Sequence, residues 1–87
     1  MKDYSFVSRM IKNGTIKNVD ELYQQVPKST IAKVLNMNPT SFSNYRSAHP
    51  ESFKLSEFII LAEFLSVSLE SITSIFANSI TYAHQEN

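Results

Sequence analysis

The sequence predicts an all-α fold: a compact bundle of five to six short helices containing a helix-turn-helix. Three observations predict it. The 87 residues include a single glycine, too few for the tight turns of a barrel or sandwich. Apolar residues recur at helical rather than alternating spacing along the chain. Finally, IAKVLNMNPTSFSNY, from Ile31 to Tyr45, reads as two short amphipathic segments broken at Asn36-Met37-Asn38-Pro39.

Each element follows from its apolar stripe and its boundaries. Tyr4, Val7 and Ile11, with Met10 beside them, form a first stripe. Gly14 stops it, because glycine takes positive φ without a Cβ clash. Asn13-Gly14 also fits a hairpin turn, although its flanks alternate poorly. Val19, Leu22, Tyr23 and Val26 form a second stripe, with Asp20 and Glu21 in its first turn, where the helix dipole favours acids. Pro27 ends that helix and opens the next. Ile31, Ala32 and Leu35 make the third stripe; Phe42 and Tyr45 make the fourth. SAHPESFK reads as a loop. Leu55, Phe58, Ile59, Ala62 and Leu65 make the fifth, and Leu69, Ile72, Ile75, Phe76 and Ile80 the sixth, with Ser68 as N-cap. Residues 1–82 are expected to form one domain, followed by a frayed polar tail, 83–87.

Composition removes several function classes. The chain is 43% hydrophobic, which permits a core, and it has no cysteine. Disulfides, thiolate metal sites and cysteine nucleophiles are therefore excluded. MKDYSFVSRMIKNG has no uninterrupted apolar run and does not read as a signal peptide. The longest apolar run, Phe58 to Ala62, is far too short to span a bilayer, so no membrane association and a cytoplasmic location are expected. His49 and His84 are far apart and belong to no cluster with metal-ligand spacing. No glycine-rich phosphate loop and no nucleophile–base arrangement are present. Neither an enzyme, a cofactor nor a small-molecule ligand is expected. Net charge is zero, but all eight Lys and Arg lie at or before Lys54, while four of the eight acids follow Leu55. A basic front and an acidic back suggest one face for an anion and another for a different partner.

The break at Asn36 is well specified. Asn36 ends one helix, since Asn tolerates the left-handed conformation. Asn38 caps the next, and Pro39 at its first position costs no hydrogen bond. Ala32 is small where the second helix crosses, Met37 plugs the turn, and Phe42 and Tyr45 face inward. The result is a helix-turn-helix unit from Lys28 to Ser47.

These residues resemble the helix-turn-helix of phage-repressor and Cro-like (XRE-type) transcriptional regulators. Ile31, Ala32, Leu35, Met37, Phe42 and Tyr45 fall on matching positions, and FKLSEFIILAEFLSVSLESI resembles the two helices that follow in that family. The resemblance covers roughly Lys28 to Phe76. It departs at Asn36, where the family has a turn glycine, at Lys28 for a Gln, at Arg46 for an acid, and at Lys54 for a Thr or Ser cap. It implies a lambda-repressor-like fold and duplex DNA as partner, with the Asn38–Ser47 helix in the major groove.

With Phe42 and Tyr45 inward, Thr40, Ser41, Ser43, Asn44 and Ser47 point outward. By resemblance, Pro39, Thr40 and Asn44 hold the base-reading positions; Asn44 suits a bidentate contact to adenine. Lys28, Ser29, Ser41, Ser43, Arg46 and Lys54 are the candidate phosphate contacts. A homodimer through the acidic C-terminal helices is expected, because Ile60, Phe64, Ile75 and Ile80 exceed what the core requires. The alternative is a protein-interaction or adaptor module with the same fold and no DNA contact, which zero net charge favours.

Overall fold

The computed structural model describes the backbone of residues 4–84 and the side chains of residues 4–80. Among these are six α-helices and no strand: α1 Ser5–Lys12, α2 Val19–Gln25, α3 Lys28–Val34, α4 Pro39–Asn44, α5 Leu55–Leu65 and α6 Leu69–His84. Two single-turn 3-10 helices, Arg46–Ala48 and Pro50–Ser52, join α4 to α5. The last helix runs into the expected polar tail; residues 85–87 lie outside the described residues.

The helix ends are chemically explicit. Gly14 takes φ +84° after α1, its N–H donates to the Ile11 carbonyl, and the next N–H, of Thr15, donates to Met10. Asn36 does the same after α3 at φ +60°, with Asn36 donating to Lys33 and Met37 to Ala32 at 2.8 Å. Ser66 repeats the geometry after α5 at φ +58°, with Val67 donating to Ala62. Each is the left-handed stop that satisfies otherwise orphaned carbonyls. At the starts, the side chains of Asn18, Asn38 and Ser68 accept from the amides of Glu21, Ser41 and Ser71. Glu57 accepts from the amide of Lys54 at 2.8 Å and so supplies the cap that Lys54 itself cannot.

Core packing centres on Leu22, Ile31, Phe42, Leu61, Leu65, Ile72 and Phe76, all fully buried. A relay of aromatic contacts ties the elements together: Tyr23 meets Phe42 edge-on, Phe42 meets Phe53, and Phe53 meets Phe76 at 4.7 Å between centroids. Phe53, from the expected loop, is therefore a core residue. The two ends of the chain are joined by hydrogen bonds. Ser8 Oγ donates to the Ser66 carbonyl at 3.1 Å, the Val19 amide donates to Ser79 Oγ at 3.2 Å, and Asn78 Nδ2 donates to the Lys17 carbonyl at 2.9 Å.

The structure corrects the expected orientation of five residues. Tyr45, expected inward, is 55% exposed, because α4 ends at Asn44 and Tyr45 leaves the helical path at φ −135°. Ser47, expected outward, is buried in the following 3-10 turn, with its hydroxyl on the Ser43 carbonyl. Leu55 and Ile59, expected to face the core, are exposed, and Leu61 is buried in their stead. Ile75, expected to be in excess, is buried at 3% exposure.

Candidate nucleic-acid interface

The second helix of the helix-turn-helix is short, and its orientation follows from its anchors. The left-handed turn at Asn36 and the Asn38 cap fix where α4 begins. Phe42 fixes which side faces inward: its ring is fully buried and contacts both Tyr23 of α2 and Phe53. Pro39, Thr40, Ser41, Ser43 and Asn44 are consequently all exposed. They present hydroxyls and one carboxamide on a side free of charge.

Cations stand around this face rather than on it. Lys28, at the start of α3, is exposed, with its Nζ 5.6 Å from the centre of the Tyr23 ring that supports Phe42. Ser29 and Lys54 are exposed as well. Lys54 immediately follows Phe53, the other ring against Phe42.

Arg46 behaves differently from its expected role. Its Nε donates to Ser52 Oγ at 2.9 Å, one Nη donates to Glu57, and the other lies 3.8 Å from Met37 Sδ. The guanidinium also covers the Phe53 ring at 4.9 Å. Only 18% of the side chain is exposed. These contacts join the α3–α4 turn, the second 3-10 helix and the start of α5. A guanidinium so engaged is a clamp, and its charge is balanced by Glu57.

Tyr45 is the feature that sequence reasoning missed. Its ring stacks on the His49 imidazole at 4.1 Å with 16° between planes, and His49 Nδ1 lies 3.1 Å from Glu51. An aromatic pair thus stands at the C-terminal edge of the polar face. The spacing of Phe42 and Tyr45 suggested one shared inward stripe; the helix end between them removes that relation.

A cavity of about 500 Å³ lies elsewhere, between the start of α2, the 3-10 turns and α6, and is lined by Lys17, Asn18, Asp20, Ser47 and Asn78 among others. Among the described residues, no group of three or more His, Cys, Asp or Glu could hold a metal ion. No single described helix is long and apolar enough to cross a membrane. No family model, curated protein or solved structure matches the chain.

Proposed function

We propose that the chain binds duplex DNA sequence-specifically as an XRE-type transcriptional regulator, with α4 in the major groove. One observation carries this reading: α4 is buried through Phe42 and bare on the side carrying Pro39, Thr40 and Asn44. In a helix-turn-helix the second helix enters the groove and its early residues meet base edges. Thr40 offers a hydroxyl and a methyl, Pro39 an apolar contact, and Asn44 a donor–acceptor pair matched to adenine. Lys28, Ser29, Ser41, Ser43 and Lys54 surround them as phosphate contacts that position the duplex. Arg46 contributes by holding the turn against α5 rather than by reaching a phosphate.

An adaptor without DNA contact is the second reading. It is favoured by the zero net charge and by the engagement of Arg46 with Glu57, which withdraws the cation that follows α4. Binding measured across a salt series separates the two. A DNA-binding chain loses affinity linearly in log–log form, by about 0.9 per phosphate neutralised. Failure to bind any duplex at low salt would leave the adaptor.

Selection from a random duplex pool supplies the preferred site. On it, Asn44→Ala should lose preference at one base position, a change of about 1–3 kcal/mol. Lys28→Ala should instead weaken all sequences alike. Unchanged selectivity in Asn44→Ala would remove Asn44 from the base-reading set.

A further inference from the structure

The chain has three methionines, and one of them, Met37, stands in the turn that sets where α4 begins. Met37 follows the left-handed Asn36, and its N–H donates to the Ala32 carbonyl at 2.8 Å. Its side chain packs against the core but is only half-buried, so a small oxidant can reach the sulfur. Oxidation of a core methionine ordinarily disrupts packing, because the sulfoxide puts a polar group among apolar ones.

The surroundings of this sulfur change that outcome. Arg46 Nη1 lies 3.8 Å from Met37 Sδ. A thioether is a weak acceptor, so this N–H is poorly satisfied. The rest of the guanidinium is fixed: Nε donates to Ser52 Oγ, Nη2 donates to Glu57, and the group covers the Phe53 ring. A strong donor is therefore held in place, aimed at the sulfur. A sulfoxide oxygen sits about 1.5 Å from its sulfur; with a charge-assisted hydrogen bond of about 2.8 Å and an acceptor angle of about 120°, it needs a sulfur-to-nitrogen span of about 3.8 Å. That span is already present. Met10 is half-buried as well, but among the described residues no hydrogen bond reaches its sulfur.

We propose that Met37 is a reversible oxidation site whose sulfoxide is received by Arg46. The oxidant is hydrogen peroxide. A sulfur lone pair attacks one peroxide oxygen, the O–O bond breaks, and the other oxygen leaves as water, taking the proton that the transferred oxygen gives up. Sulfur loses two electrons and the peroxide gains two. Negative charge growing on the departing oxygen lies beside the guanidinium, which favours attack from the Arg46 side. One sulfoxide epimer therefore predominates. In the product, a charge-assisted N–H···O bond replaces a weak N–H···S contact and ties the turn ahead of Asn38 to Ser52 and Glu57 through Arg46. Oxidation tightens the seating of α4, whatever α4 binds.

Peroxide treatment of the whole chain carrying Met10→Leu tests this, with peptide mass mapping to follow Met37 and urea unfolding to follow stability. The oxidised protein should unfold at a higher midpoint than the reduced one, its unfolding constant about three- to tenfold smaller. In Met10→Leu/Arg46→Lys, a single ammonium cannot serve Ser52, Glu57 and the sulfoxide together, so oxidation should make that constant about tenfold larger. Met1 is common to both proteins and drops out of the comparison. One Met37 sulfoxide epimer should be in large excess, so one of the two stereospecific sulfoxide reductases should reverse most of the modification and the other little. The epimer ratio needs no Arg46 variant and decides the matter even if Arg46→Lys folds poorly. Equal epimers, or an oxidised protein destabilised as much with Arg46 as without it, would overturn the proposal. Met37 left intact in peroxide excess would overturn it equally.

Discussion

Arg46 turns its guanidinium inward, and that choice sets its energetic role. It donates to Ser52 and Glu57 while resting on Phe53, so its removal leaves a half-buried carboxylate without its partner. Arg46→Ala should lower stability by about 2–3 kcal/mol in urea unfolding. Arg46→Lys should recover less than half of that, because an ammonium keeps the charge but loses the planar fork. Tyr23 raises the opposite question. Its hydroxyl is buried and has no hydrogen-bond partner among the described residues. Burial, with the nearby charge of Asp20, pushes its ionisation from 10.0 up to about 12, against an opposing effect of Arg46. The folded state therefore holds this proton more tightly than the unfolded chain does. Its contribution is complete below pH 10 and is lost as pH rises towards 12. Tyr23→Phe should flatten that part of an alkaline stability profile. At neutral pH it should leave stability unchanged or raise it by about 1 kcal/mol, since no hydrogen bond is lost.

Among the elements, α4 and α5 show what local pattern reveals and what it cannot. The start of α4 was legible because Asn38-Pro39 carries its own capping chemistry, and the end of α3 because Asn36 tolerates positive φ. That tolerance is incomplete. Asn36→Gly should raise the midpoint of thermal unfolding, by up to about 1 kcal/mol in stability. Asn36→Val, whose branched Cβ resists φ +60°, should cost about 1–3 kcal/mol. The end of α4 was not legible: Tyr45 has the spacing of an inward residue, and nothing adjacent to it in sequence marks a helix stop. The rotation of α5 was hidden for a different reason. Its apolar residues surround the axis, so periodicity alone selects no inward side. Leu55 and Ile59 match a stripe as well as Leu61 does. The choice is made by α6 and by Phe53, which lie outside any local window.

At the scale of the whole molecule, the all-α class and the succession of helices followed from composition and spacing, whereas the closure of the bundle did not. Of the candidate site, the exposure of Pro39, Thr40 and Asn44 followed from placing Phe42 inside. The diversion of Arg46 required Ser52 and Glu57, six and eleven residues away, and was invisible in the motif itself. Closure depends on contacts of still longer reach. Ser8 is buried and satisfies the carbonyl of Ser66, the residue at the left-handed corner between α5 and α6. Ser8→Ala should cost about 1–2 kcal/mol by leaving that acceptor unpartnered, read as a lower denaturation midpoint with an unchanged slope.

The hydrogen bonds from Ser8 to Ser66, Val19 to Ser79 and Asn78 to Lys17 impose an order on biogenesis. During synthesis, α3 and α4 can assemble as soon as they emerge, since their mutual contacts are close in sequence. The opening helices must wait, with Val7 and Leu22 uncovered, until α5 and α6 have emerged as well.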